Sequence, residues 1–511
     1  MGAQAQSDPL RQVQGEMEGL IHSLRHPVLV EGDAELMDLT AAQWRLTAEF
    51  GKLIFTAWNA AKSLSRRVEE IAYRDRDRFG VFVRKPGAFQ STTLEFRELY
   101  AGATVQRGTG RAGFHQQLVA MIERDYRGGK IERVSHRSDR EHSFSAWYTR
   151  GMVRQGRSAW AFLGLSEEET PAAADNVLAF GLIWWDWLRH QTDRLAVTEL
   201  KLFLPPQAVS VTAHRAAYLN PHAIRVEVYE WRPGQRSATP VDRRDYGNVE
   251  TRLTPRRSAE LLKENHAQLL TGMLGEASSG IDVVPDSAGT FSSLRIQGLE
   301  VGRLEGLLAP RVYFGLEGSF RRLDASRQGE FRDFLRAVRE FRRADSADPQ
   351  HEYYRLQSER WLESLLSRDI TLIDASLSPQ HVYSQVPAFT ASARGVIDLL
   401  SLTRGGRLAV VELKLHEEIN LPLQGLDYWL RVNWLNQRQQ FQEFGYFQGC
   451  ELSAAPPLLY LVSPAFRFHS STGTLLRCFH PQIEPVLIGI NDSWRKKIKV
   501  LFRHGRAAVR G

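Results

Sequence analysis

A chain of 511 residues is longer than one hydrophobic core usually supports, so two or three domains are expected. Hydrophobic residues at 43% and charged residues at 24% exclude wholesale disorder, and Lys+Arg 66 against Asp+Glu 59 gives a charge of +7, which permits a polyanionic partner without requiring one. Two cysteines, Cys450 and Cys478, exclude a disulfide framework and a four-thiolate zinc site, and make a reducing cytoplasmic compartment the expectation. No basic-then-apolar leader opens the chain, and Met1-Gly2 lacks the Ser or Thr of a myristoylation signal. The longest aromatic run, VLAFGLIWWDWL, is interrupted by Asp186 and is too short to span a bilayer, so no membrane partner is expected.

Residues from about 10 to 75, with the run ELMDLTAAQWRLTAEFGKLIFTAWNAAKSLSRRVEEIA, carry apolar residues at a spacing that predicts amphipathic or buried helix. RFGVFVRKPG and TTLEFREL predict strands around a Pro-Gly turn. The arginine-dotted DYRGGKIERVSHRSDREHSFSAWYTRGMVRQGR reads as an exposed polar surface, with a nucleic-acid groove as its other reading. AFGLIWWDWLRH, RLAVTELKLFLPP and AIRVEVYEWRP continue a mixed region, and these segments together define an expected N-terminal α+β domain over 1–235. RPGQRSATPVDRRDYGNVETRLTPRRS lacks apolar periodicity, which predicts a linker or long loop at 236–258. A middle α+β region at 259–345 follows, with AELLKENHAQLLTGML as helix and SLRIQGLEV and PRVYFGLEG as strands. Its second helix, QGEFRDFLRAVREFRRADSADPQ, places Phe331, Phe334, Leu335, Val338 and Phe341 at helical spacing.

Residues 346–511 have the clearest pattern. EYYRLQSERWLESLLSRD predicts a helix, VYSQVPAFT a short strand, and GVIDLLSLTRGGRLAVVELKL a strand, a Gly-Gly turn and a second strand. LPLQGLDYWLRVNWLNQRQQFQEFGYF predicts a long helix and PLLYLVSP a further strand. That order describes an α/β sandwich, so the expected fold class is α/β with mixed α+β regions before it.

Along 408–415 the period of two places Ala409, Val411, Leu413 and Leu415 on one face and Leu408, Val410, Glu412 and Lys414 on the other. A buried Glu and Lys are tolerated only if they pair with each other, a metal or water. On this strand alone a plain ion pair at a half-exposed position accounts for them. Asp398 changes the balance, because the chain returns from it through LLSLTRGGRL to Glu412, and antiparallel pairing then brings the two carboxylates together. Close carboxylates repel unless a divalent cation lies between them, and hard oxygen ligands without a Cys/His cluster favour Mg2+ or Mn2+. A lysine beside such a metal positions a hydrolytic water and stabilises charge developing on a phosphoryl group.

This constellation resembles the PD-(D/E)XK nuclease superfamily, the restriction-endonuclease-like fold. Gly395-Val-Ile-Asp398 matches its G-x-x-D motif and Glu412-Leu-Lys414 its E-x-K motif; no proline precedes Asp398, as in many members. Gln424-Gly-Leu-Asp-Tyr428 matches the Q-x-x-x-Y motif of the RecB-like branch, and at i and i+4 the two side chains share a helix face. The superfamily also places a glutamate on the helix before the core sheet; Glu359 suits that role, with Glu363 one turn later as the alternative. The match covers residues from about 350 to 465. It implies a metal held by Asp398, Glu412 and Glu359, with the Val411 or Leu413 carbonyl as a further ligand. Lys414 would assist the attacking water, and Gln424 and Tyr428 would orient Lys414 or a substrate phosphate.

RLAVTELKL at 194–202 differs from RLAVVELKL at 407–415 only by Thr198 against Val411. Its context differs more. Asp186 lies within IWWDWLRH, no Gly-Gly turn leads to Glu199, two prolines follow in FLPPQAVSV, and no Q-x-x-x-Y comes after. Three readings of Glu199 and Lys201 stand: a second active site, a decayed or structural duplicate, and coincidence in a common strand idiom. Gly108, Gly110 and Gly113 make a bare G-x-G-x-x-G that reads as a flexible loop. His136 and His142 read as surface residues, and Trp184, Trp185 and Trp187 as core or a domain contact.

The expected activity is metal-dependent hydrolysis of nucleic acid, DNA foremost, by residues 346–511. Earlier regions would serve targeting or regulation, with a protein partner or oligomer contact through the N-terminal region. A nuclease-fold protein that binds nucleic acid or a partner without cutting is the competing reading, and a scaffold that keeps only the ion pair is the third.

Overall fold

Leu53, Phe55 and Ala57 are buried at a spacing of two in a computed structural model of the chain, and that alternation makes Lys52–Trp58 a strand. The structure describes residues 9–505 apart from 25–26, 32–33, 40–41, 50–51, 59–62, 76–77, 85–90, 99–100, 140–141, 192–194, 233–236, 244–252, 254, 287–289, 307–309 and 390–393. Two compact units result: Met1–Thr104 with Pro255–Leu365, and Val105–Thr254 with Leu366–Gly511. The expected boundaries at 235 and 345 give way to this division. Two crossings fall inside helices, Ala101–Asp125 and Ser358–Arg368, where no change of composition marks them. The third falls in the segment read as a linker, part of which lies outside the described residues and part of which is ordered as the strand Ser237–Pro240 and the start of the helix Arg256–Leu274.

In the first unit, strands Pro27–Glu31, Ala34–Asp38, Gln43–Glu49, Lys52–Trp58, Ser63–Arg74, Arg78–Arg84 and Ser91–Glu98 form one antiparallel sheet around Leu29, Phe55, Phe79 and Phe96. This corrects the helical reading of residues 10–75, where among the described residues only Pro9–Ser23 is helix. Good helix formers such as Ala, Leu and Glu suggested the wrong period, and burial on one sheet face decided it. A second antiparallel sheet joins Asp282–Pro285, Phe291–Ile296, Leu299–Glu305, Arg311–Phe314 and Arg321–Arg322, with helix Gln328–Phe341 burying Phe331, Leu335 and Val338 as its spacing predicts. EYYRLQSERWLESLLSRD is two helices, Glu352–Arg355 and Ser358–Arg368, because Gln357 takes φ 47° between them.

The second unit contains the same six-stranded sheet twice. In its first half β1 (Lys130–Ser135), β2 (Tyr148–Gln155), β3 (Ser158–Leu165), β4 (Ala196–Leu204), β5 (Arg225–Arg232) and β6 (Ser237–Pro240) lie side by side in chain order. In its second half β7 (Tyr383–Phe389), β8 (Arg394–Leu402), β9 (Leu408–Leu413), β10 (Leu458–Pro464), β11 (Glu484–Ile490) and β12 (Val500–Gly505) do the same. Each sheet has three antiparallel strands, then two successive parallel pairings, then an antiparallel edge strand. Parallel pairs need crossovers, and these carry helices: α1 (Pro171–Gln191) and α2 (Pro206–Ala217) in one half, α3 (Leu421–Gln437) and α4 (Thr472–Arg477) in the other.

The halves also agree in packing. A Cβ added at Gly181 of α1 would lie 3.0 Å from the Leu200 and Leu202 methyls, and one at Gly425 of α3 would lie 2.7 and 3.0 Å from those of Leu461 and Leu459. Glycine at both positions lets the helix sit directly on its central strand. Four residues on, Trp185 Nε1 donates to the Val197 carbonyl at 3.0 Å and Trp429 Nε1 to the Pro457 carbonyl at 2.7 Å, each at the entry to that strand. The halves meet where Leu219 bridges Phe479, with Asn220 N donating to Cys478 O at 2.7 Å and His480 N to Tyr218 O at 2.9 Å. This reciprocal exchange defines a local twofold axis, and one apolar core, including Leu178, Leu182, Leu426 and Leu475, runs across it.

Three smaller expectations are also corrected. The G-x-G-x-x-G run lies within the helix Ala101–Asp125 and is not a loop. The arginine-dotted segment contributes β1 and β2, and His136 and His142 within it are half-buried. Trp184 and Trp185 are core, as expected. Among the described residues no helix is long and apolar enough to cross a membrane.

Candidate active site

The turn Thr403–Arg407, closed by Gly406 at φ 78°, returns β8 along β9 in the expected hairpin. Leu399 faces Val411 and Leu400 faces Val410, a register that sets Asp398 beside Glu412. The Asp398 carboxylate accepts a hydrogen bond from Leu413 N at 2.9 Å. Glu412 is buried, and its Oε1 lies 3.2 Å from Lys414 Nζ on the same strand face. Lys414 N donates to Val462 O of β10 at 3.0 Å, so the lysine leaves the sheet at the carboxyl end of two parallel strands. That end of an α/β sheet is where ligands characteristically bind.

Gln424 and Tyr428 lie on α3, one turn apart on either side of Gly425, whose face packs on β10. Tyr428 is buried; burial first, and then the Glu412 and Asp398 charges, push its hydroxyl well above the ordinary range. It therefore stays protonated and able to donate. Behind it, α3 is tied to the first half. Arg215 of α2 donates to Asp427 through Nε at 3.0 Å and Nη2 at 2.8 Å, and to Asp175 at 2.6 Å, while Asn420 Nδ2 donates to Asp175 at 2.6 Å. Sequence reasoning missed this network. Its one local signal is the arginine inside the apolar helix SVTAHRAAYL.

Glu359 lies in the first turn of helix Ser358–Arg368, within the first unit, and Glu363 is buried there, 3.5 Å from Arg360. Among the described residues no group of three His, Cys, Asp or Glu side chains converges to hold a metal ion. Of the expected ligands, Asp398 and Glu412 are brought side by side, and Glu359 belongs to the other compact unit.

The duplicated fold allows the two halves to be compared position by position. Val410 and Glu412 lie beside Leu459 and Leu461, as Ala161 and Leu163 lie beside Leu200 and Leu202. Leu163 thus stands where Glu412 stands, and Leu165 where Lys414 does. Arg150, opposite Leu163, takes the place of Asp398. Counting from the paired glycines, Phe180 and Trp184 replace Gln424 and Tyr428. Arg150 is buried with its guanidinium 4.8 Å from the Phe144 ring and 5.7 Å from Trp184. These positions hold no carboxylate.

RLAVTELKL is β4, the counterpart of β10 rather than of β9. The near-identical strings therefore occupy different places in the two copies: the fold is duplicated, but the string is not its trace. Lys201 pairs with Glu227 and, at 3.4 Å, with Glu199, and it lies 5.4 Å from the Trp160 ring and 5.7 Å from Tyr126 and Tyr229. That enclosure satisfies the charges structurally. No known family model matches the chain, and no curated protein matches it closely enough to count as a relative.

Proposed function

We propose that the second half of the second unit hydrolyses phosphodiester bonds of nucleic acid, with DNA the expected substrate, using a divalent metal. The observation that supports this reading is the pairing of Asp398 with Glu412 across β8 and β9, with Lys414 on the same face at the open end of the sheet. The donor set fits Mg2+ or Mn2+: two hard carboxylate oxygens from adjacent strands, which repel each other unless a cation is shared. Asp398 and Glu412 would hold it, joined by a main-chain carbonyl of Val411 or Leu413. When bound, the ion supplies Lewis-acid charge to a phosphoryl oxygen.

Lys414 faces the attack side. Its ammonium donates to the attacking water and to the phosphoryl oxygens as their charge grows, a stabilisation strongest in a site that excludes water. Tyr428, held protonated, and Gln424 donate to the phosphate from α3 and keep it in line with the water. Asp398 is oriented by Leu413 N, so it meets its ligand without rearranging.

Supercoiled plasmid incubated with the full-length protein and Mg2+ or Mn2+ tests this. Cleavage is expected, lost with EDTA and lowered at least ~100-fold by Asp398→Ala or Lys414→Ala, while Glu199→Ala cuts as the parent does. Cleavage that survives both changes would reject these residues as the site. Absence of cleavage of any DNA or RNA, together with salt-sensitive binding, would leave a nuclease fold that binds without cutting.

A further inference from the structure

The halves differ at the connection that follows the central strand. In the first half β4 passes to α2 through Pro205 alone. In the second half β10 passes to α4 through residues 465–471, Ala-Phe-Arg-Phe-His-Ser-Ser. The longer connection belongs only to the half with the carboxylates and starts at the sheet edge where Lys414 emerges. Lys414 N is bonded to Val462 O, and four residues of chain reach at most about 14 Å, so Phe466 lies within about two nucleotides of the Lys414 main chain.

Phe466 is 86% exposed, and the next most exposed large apolar side chain among the described residues, Leu501, is 55% exposed. Leaving an aromatic ring in water forgoes a large burial energy, and single exposed apolar residues are common enough that exposure alone means little. Here the ring is presented by a built turn. Pro464 before it is buried, Ala465–Arg467 forms a single helical turn, and Phe468 packs into the shared core with its ring 5.8 Å from Phe502. His469 Nδ1 lies 2.6 Å from Ser471 Oγ and closes the connection on its far side. Only Phe466 and Arg467 are turned out at the crest of the turn. Glu417 and Glu418 on the facing β9–α3 connection lie 4.0 Å from His469 and 3.8 Å from His416.

We infer that Phe466 is a base-stacking residue: its ring receives the face of an unpaired nucleobase one or two nucleotides from the bond to be cut, and Arg467 contacts a neighbouring phosphate. An aromatic face binds any base but needs an open base face, which a paired and stacked duplex does not offer. The substrate class is therefore nucleic acid with an unpaired base at the site, such as a single strand, a flap or a frayed end. The inference rests on the proposed nuclease reading for its place beside the cut, but stacking requires no cleavage and is measured separately.

Full-length protein and its Phe466→Ala and Phe466→Trp variants are titrated in Ca2+ with a fluorescein-labelled twenty-nucleotide single strand and with the same sequence as a blunt duplex. Phe466→Ala is expected to weaken single-strand binding about tenfold and leave duplex binding unchanged, with Phe466→Trp restoring it. An exposed side chain leaves folding intact, which thermal unfolding of the variants checks. Equal single-strand affinity in parent and Phe466→Ala, or no oligonucleotide binding by the parent, overturns the inference. Cleavage in Mg2+ is scored apart: unimpaired cutting by Asp398→Ala rejects the catalytic site even where the Phe466 effect stands.

Discussion

The two halves of the second unit share strand order, helix placement and the glycine contacts between helix and sheet, yet one carries Asp398, Glu412 and Lys414 where the other carries Arg150, Leu163 and Leu165. The fold thus rests on apolar contacts such as Gly181 against Leu200 and Gly425 against Leu461, and not on the buried charges. Those charges are an addition to a scaffold that stands without them. Ion pairs taken out of water seldom stabilise more than a well-packed apolar pair of the same volume, and the first half is the internal control for that rule.

Making the second half resemble the first is the sharpest test. Glu412→Leu combined with Lys414→Leu is expected to lower plasmid cleavage at least ~100-fold while leaving stability unchanged or raising it by about 1–4 kcal/mol in urea unfolding. A clear loss of stability would show that the charges do hold the fold. Arg215→Met, which strands Asp427 between the halves, should destabilise by about 3–5 kcal/mol, and adding Asp427→Asn should recover part of that loss. An unchanged urea midpoint in Arg215→Met would mean that the apolar core alone joins the copies.

His214 of α2 gives the smallest effect, and it depends on pH. Burial pushes its imidazole from 6.5 down to about 4; Asp427 opposes the shift, and Arg431 and Arg215 add to it. The unfolded chain takes up this proton at a higher pH than the folded one. Stability from neutral His214 is therefore whole above about pH 6.5 and is lost as the pH falls through 4, a swing on the order of 3 kcal/mol. His214→Gln should flatten that slope relative to the parent between those values, and parallel pH curves for the two would dismiss the effect.

The candidate site was legible because its parts are close in sequence: Asp398, the Gly-Gly turn, Glu412, Lys414 and Tyr428 fall within a stretch of about thirty residues that forms one hairpin and one helix. What depends on distant chain was not legible. Arg215 and Asp427 stand 212 residues apart, and nothing near either announces the other. The duplication was hidden for a different reason. It survives in strand order and in the position of two glycines, whereas the most similar strings, RLAVTELKL and RLAVVELKL, lie in strands that do not correspond. Lys52–Trp58 was misread because Ala, Leu and Phe suit either period until a sheet face is there to choose.

The reciprocal bonds between Asn220 and Cys478 and between His480 and Tyr218 are those of a symmetric dimer, but both partners belong to one chain. A dimer built on two separate chains comes apart on dilution. Tethered copies meet at an effective concentration on the order of millimolar whatever the protein concentration, so the pairing persists at any dilution. The copy that lacks the paired carboxylates is thus a permanent companion to the copy that has them.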